Sequence, residues 1–205
     1  AKILRIKNSK LDSIIYLITD GEITSENYAE KSRKTLDLIK RAVDANISLI
    51  QIREKQISAK LIFSLASKAA EITKNSTTKL LINDRADIAL AANADGVHLT
   101  ANSLSAEIIR ANFPKEFIIG VSTHSLEKAQ EAKNQGANFA TFSPIFYSPN
   151  KGEPVGLDAL REVCEIVKPF PIIALGGIDE TNYREVLQIA DGFAAIRFLK
   201  EVRCK

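Results

Sequence analysis

The stretch Ile47-Ser-Leu-Ile-Gln51-Ile-Arg53-Glu-Lys55 decides how this chain is read. Its first half is mostly apolar, and its last half turns polar on one alternation. In an extended strand, residues i, i+2 and i+4 point the same way. Gln51, Arg53 and Lys55 therefore share one face, and Ile50 and Ile52 the other. A strand with so little polar character in its first half is covered on both faces, as in a parallel sheet flanked by helices. Two cations and an amide aimed into a core are costly unless an anion meets them. The alternative is a strand end that frays into solvent with ordinary surface charges. Ile50 and Ile52, still pinned on the opposite face at that point, favour the ligand reading.

Outward from this stretch the same grammar repeats. Short apolar runs at residues 13–19, 48–54, 79–84, 96–99, 117–122, 139–144, 171–177 and 192–199 alternate with longer amphipathic segments. Leu36, Ile39, Ala42 and Val43 form one helical stripe, and Ile62, Leu65, Ala66 and Ala69 another. Ser125 reads as an N-cap, as does Asp179 or Thr181 before the segment around Val186. Eight strands alternating with helices mean a parallel α/β architecture, either a closed barrel or an open doubly wound sheet. No Pro/Gly-rich linker divides the chain, so residues 1–205 are expected to form one domain. Only residues 200–205 follow the eighth run, too few for a full covering helix. The eighth helix is expected to be truncated, its seam covered by residues 1–12, by a second copy in a homo-oligomer, or poorly.

Composition bounds the function. Hydrophobic residues make up 45% and charged residues 26%, as in an ordinary globular protein, and the net charge is only +3. Nucleic acid is not an expected partner. No run approaches the roughly 20 apolar residues that would cross a membrane. The basic start lacks the apolar segment of a signal peptide, which makes the cytoplasm the expected location. Cys164 and Cys204 have no metal-ligand spacing, and Cys164 falls on an apolar helix side as a core residue. No G-x-G-x-x-G follows the first strand, and no Gly-Lys-Ser/Thr occurs, which argues against nicotinamide and P-loop nucleotide chemistry.

Polar residues at the other strand ends complete the picture. Asn83 and Asp84 close the third run, where Asp84 could ligate Mg2+ and Asn83 bond a phosphate oxygen; an Asp84–Arg85 ion pair is the structural alternative. Ser122 and His124 lie where a strand gives way to a helix; Ser122 offers a hydrogen bond at the strand tip, and acid–base chemistry is open to His124. His98, within a short apolar run, is expected to be a hydrogen-bonded core residue. The loop from Ser143 to Gly152 carries Ser148, Asn150 and Lys151, with Lys151 a candidate closing group over a ligand. Gly176-Gly177 is a turn whose freed backbone N–H groups suit a phosphate, with the backbone of Ile196 and Arg197 facing it from the eighth strand.

Taken in order, Gln51-Ile-Arg53-Glu-Lys55, Asn83-Asp84-Arg85-Ala-Asp87, Ala94-Asp-Gly-Val-His98-Leu99, Gly120-Val-Ser122-Thr-His124, Ser143-Pro-Ile-Phe146 with Lys151, and Ala174-Leu-Gly176-Gly177-Ile178 resemble the thiamine-phosphate synthase/TenI family. The resemblance covers nearly the whole chain and implies a TIM barrel, (β/α)8. It implies a transferase that joins 4-amino-2-methyl-5-hydroxymethylpyrimidine pyrophosphate to thiazole phosphate and releases pyrophosphate. By matching position it assigns Arg53, Lys55, Asn83 and Lys151 to the pyrophosphate and Asp84 to Mg2+. Gln51 matches a pyrimidine contact, Ser122 a group near the reaction centre, and Gly177 with Ile196 and Arg197 the thiazole-phosphate cup.

Three departures accompany the resemblance. Where synthases carry Gly-Gln-Glu/Asp-Asp, the last Asp being a second Mg2+ ligand, this chain reads Thr100-Ala-Asn-Ser103, so Ser103 replaces a carboxylate and Mg2+ should bind more weakly. The Thr-x-Thr-Lys loop reads Ser148-Pro-Asn150-Lys151, and a small Ser-Ala pair becomes Arg197-Phe198. The segment from Leu99 onward resembles TenI-type thiazole tautomerases, whose proton-carrying histidine His124 matches. Those members tend to lack the Lys55 and Asp84 equivalents. The synthase is therefore the first expectation, a tautomerase using His124 the second, and a non-catalytic thiazole-phosphate-binding homologue the third.

Overall fold

The computed structural model describes residues 13–149 and 151–201. The strands are β1 (Ile14–Ile18), β2 (Leu49–Ile52), β3 (Lys79–Asn83), β4 (Gly96–Leu99), β5 (Ile118–Thr123), β6 (Phe139–Phe142), β7 (Ile172–Leu175) and β8 (Gly192–Ala195). The helices between them are α1 (Tyr28–Asp44), α2 (Ala59–Thr73), α3 (Ala86–Ala91), α4 (Ala106–Asn112), α5 (Leu126–Asn134), α6 (Gly156–Val167) and α7 (Tyr183–Ile189). Each strand pairs in parallel with its sequence neighbours, and β8 pairs with β1. The sheet is thus a closed (β/α)8 barrel, the TIM-barrel alternative. An open sheet is excluded by the Ile14–Gly192 to Leu17–Ala195 register.

Two apolar layers hold it together. Outward residues such as Leu17, Ile50, Ile52, Leu80, Ile82, Val97 and Ile172 pack beneath the helices with Ile39, Leu65 and Val186. Inside the ring lie Tyr16, Ile18, Leu49, Leu81, Phe139, Ile173 and Ala194. Ile50 and Ile52 are buried under helices, as their alternation requires, while Gln51 is buried on the interior side. Ser125 caps α5 by accepting from the Lys128 N–H, and Ser58 and Ser105 cap α2 and α4 in the same way.

Several apolar runs overshoot their strands, those of β2 and β8 among them. Pairing in β2 stops at Ile52, so Arg53 and Lys55 stand on the following loop, and β8 stops at Ala195, so Ile196 and Arg197 do too. The Gly176-Gly177 turn does not feed directly into a helix. Asp179 accepts from Thr181, Asn182 accepts from the Asp179 N–H, and α7 begins only at Tyr183.

Where an eighth helix would lie, the described residues form a single 3-10 turn, Phe198–Glu201. The Phe198 ring packs tilted at 5.7 Å from Tyr183 and 6.0 Å from Phe193, and Leu199 is fully buried. Lys200 pairs with Asp20 on the loop after β1. This compact turn covers the outward face of β8. Residues 1–12, expected over the seam, lie outside the described residues, as does Cys204. Cys164 is buried on α6, as its apolar side suggested.

Candidate active site

The C-terminal ends of the strands form one rim, and the chemistry collects there. Arg53, Lys55 and Lys151 come from the loops after β2 and β6, and Asp84 from the loop after β3. Lys55 lies within electrostatic reach of the other three. Arg53 foremost, then desolvation, then Lys151 hold the Lys55 ammonium below its usual range, and Asp84 partly offsets them. Among the described residues none of the three cations is paired with a carboxylate within 4 Å. Three neighbouring cations to one carboxylate can attract an anion.

Asp84 adopts a left-handed backbone, φ 64°, which Asp tolerates better than most residues. Its Oδ1 accepts a hydrogen bond from Ser103 Oγ. Arg85 pairs instead with Asp87, so the Asp84–Arg85 alternative does not form. Ser103 hence fills one side of Asp84 and leaves the other carboxylate oxygen. Among the described residues no cluster of three or more His, Cys, Asp or Glu could hold a metal. One carboxylate oxygen fits a Mg2+ held jointly with substrate phosphate and water, which is a common way for this ion to bind. A cage built by the protein alone does not fit.

A second set lies around a cavity of about 610 Å³. Ser148, Gly176, Gly177, Ile196 and Arg197 line it, brought together from the loops after β6, β7 and β8. Both glycines are required. They have φ of 100° and 66°, and a Cβ at Gly177 would lie 2.6 Å from the Tyr147 carbonyl oxygen. The Phe146 N–H donates to the Gly176 carbonyl at 3.0 Å, which fixes the β6 loop against the turn. Asn150 lies outside the described residues.

Beneath the rim, the barrel interior carries a buried polar chain. Gln51 Nε2 donates to Tyr16 Oη at 2.8 Å, Tyr16 Oη meets His98 Nδ1 at 3.1 Å, and His98 Nε2 meets Ser122 Oγ at 2.9 Å. Burial first, with the charge of Arg53 behind it, pushes the His98 imidazole down to about 3. Burial likewise raises the Tyr16 phenol. Gln51 Oε1, Asn83 Oδ1 and Thr141 Oγ1 are buried without a partner. His98 is the hydrogen-bonded core residue its run suggested. Tyr16 carried no sequence signal, because an aromatic in an apolar strand looks like any core residue.

His124 sits on the rim, exposed, apart from both sets. Its Nδ1 lies 2.7 Å from the Ser143 carbonyl oxygen, so Nδ1–H donates there and Nε2 is left as an acceptor.

Comparisons with known proteins give the family. A family model described as thiamine monophosphate synthase matches residues 15–199. The chain belongs to this family. A thiamine-phosphate synthase of Clostridium tetani is 35% identical over 192 residues, 92% of this chain and 88% of the relative. One from Clostridium acetobutylicum is 36% identical, covering 91% and 86%. Among solved structures, a thiamine phosphate pyrophosphorylase from Pyrococcus furiosus superposes with a TM-score of 0.79 at 29% identity, covering 93% of this chain and 92% of that one. A KDPG aldolase from Legionella pneumophila, at 13% identity and a TM-score of 0.65, shares the barrel alone.

Proposed function

We propose that this chain, a member of the thiamine monophosphate synthase family, is a transferase of thiamine biosynthesis. It joins the aminopyrimidine methyl pyrophosphate to thiazole phosphate and releases pyrophosphate. The observation that carries this reading is that Lys55 feels the charges of Arg53, Lys151 and Asp84, with none of the three cations paired to a carboxylate among the described residues. In the reaction the bond from the pyrimidine methylene carbon to pyrophosphate oxygen breaks, and the thiazole nitrogen forms a new bond to that carbon. The leaving group gains negative charge as it departs, and cations already in place stabilise it without reorganising.

In this reading Arg53, Lys55, Asn83 and Lys151 hold the pyrophosphate, and Gln51 and Ser122 face the pyrimidine. Ser148, Gly176, Gly177, Ile196 and Arg197 surround the thiazole phosphate, with Asn150 beside them on the same loop. Asp84 would hold Mg2+ together with pyrophosphate oxygens, and the ion would supply further charge neutralisation there. The partners are phosphorylated small molecules. Among the described residues no helix is long and apolar enough to span a membrane, and a cytoplasmic, one-domain enzyme, with a homo-oligomer open to it, fits these substrates.

The test is direct. Pure protein with both substrates and Mg2+ is expected to produce thiamine phosphate and pyrophosphate, and an Arg53→Ala variant is expected to lose most of that rate. Absence of product above the enzyme-free background would defeat the proposal. The His124 geometry favours a second reading, a thiazole tautomerase, because its tautomer is fixed with Nε2 free to take a proton. Full proton exchange on the thiazole in a His124→Asn variant would dispose of it.

A further inference from the structure

We propose that Tyr16 and His98 are positioning residues: their hydrogen bonds run in one direction from β2 to β5 and fix an acceptor at Gln51 and a donor at Ser122 for the substrate ring. This deepens the synthase reading and rests on it for the identity of the ring.

The direction follows from proton counting. Gln51 Nε2 can only donate, so Tyr16 Oη accepts from it. A phenol has one proton, and His98 Nδ1 is the one acceptor within reach of the buried Tyr16 hydroxyl among the described residues, so we assign the proton to that bond. An Nδ1 that accepts leaves the imidazole proton on Nε2, which donates to Ser122 Oγ. Ser122 has then accepted, and its own proton is free. At the other end the amide nitrogen is committed, and Gln51 Oε1 is buried with no partner. A buried carbonyl oxygen without a partner is costly, which marks it as awaiting a donor.

Packing holds the chain of bonds in place. Tyr16 meets the edge of Phe139 at 86° with ring centroids 5.7 Å apart, and His98 lies 6.0 Å from the same ring. Gly120 makes room for both, since a Cβ there would come within 2.4 Å of Phe139 Cζ and 2.8 Å of His98 Nδ1. Asn83 Oδ1 on β3 is a second unpartnered acceptor. The interior below the rim thus offers acceptors on the β2–β3 side and a hydroxyl donor on β5. That pattern complements a flat heteroaromatic ring with an exocyclic amino group and a ring nitrogen, the chemistry of an aminopyrimidine. Neither Tyr16 nor His98 needs to touch the ring.

Two measurements test this. Nitrogen-15 NMR of the imidazole-labelled wild type is expected to show His98 at neutral pH with Nε2 protonated and Nδ1 bare. A protonated Nδ1 would mean that His98 donates to Tyr16 and accepts from Ser122, and would overturn the assignment. Tyr16→Phe removes one oxygen and keeps the ring. It is expected to raise KM for the pyrimidine pyrophosphate roughly three- to ten-fold, the worth of one hydrogen bond, while KM for thiazole phosphate stays near the wild-type value. Unchanged kinetics, or an equal rise for both substrates, would refute positioning in favour of a merely structural role. A wild type that makes no thiamine phosphate would refute the synthase reading instead, and the imidazole spectrum would still decide the direction of the bonds.

Discussion

Lys55 illustrates how a single residue reports on its ligand. Its ammonium is held down by Arg53, burial and Lys151, so it gives up its proton more readily than an ordinary lysine. A bound polyanion reverses the balance and favours the charged form. Binding therefore takes up protons in the alkaline range, and pyrophosphate affinity is expected to fall as pH rises through the lowered pKa of the free enzyme. Calorimetric titration at several pH values measures this, and Lys55→Ala should flatten the decline. Ser103 makes a second prediction. Ser103→Asp places a carboxylate beside Asp84 and is expected to create measurable Mg2+ binding in the absence of pyrophosphate, where wild type shows none; charge count sets affinity at such sites. At this scale the sequence was readable wherever a residue broke its pattern. Arg53, Lys55 and Asp84 stand out as charges directly after apolar stretches. Tyr16 does not, and only ring closure brings β1 against the interior side of β4, 82 residues away.

Among the elements, the turn after β7 has the least tolerance. Gly177→Ala forces a left-handed backbone on alanine and drives its Cβ against the Tyr147 carbonyl. A cost of about 1–3 kcal/mol in stability is expected, read as a lower denaturant midpoint. The same change should raise KM for thiazole phosphate more than KM for the pyrimidine substrate, because the turn lines only the cavity after β6–β8. All eight strands were legible as apolar runs. Their ends were not, because hydrophobicity records which residues are covered and not where backbone pairing stops. Ile196 continues the apolar run of β8 after the ladder has ended at Ala195. The helix start after Gly177 is hidden for a related reason: Asp179, Thr181 and Asn182 all suit caps, and they satisfy one another in turns before α7 begins.

The whole molecule closes with little material. The short final turn contributes one buried side chain, Leu199, a ring, Phe198, packed against Tyr183 and Phe193, and ion pairs from Lys200 to Asp20 and, at 4.0 Å, to Glu22. Leu199→Ala is expected to cost about 2–5 kcal/mol, as a core truncation does. Lys200→Ala should cost no more than about 1 kcal/mol, since the pair is partly exposed and screened. Equilibrium unfolding of the two variants separates apolar closure from electrostatic closure. The overall charge of +3 is too small to steer ligands from afar, so attraction is confined to the rim. Until substrate arrives, the three neighbouring positive groups there repel one another with a single opposite charge between them. Small multivalent ions in the medium relieve that repulsion as well as pyrophosphate does in kind, if not in fit. Sulfate, citrate and phosphate buffers will therefore act as competitors, and turnover measured in them will understate the enzyme.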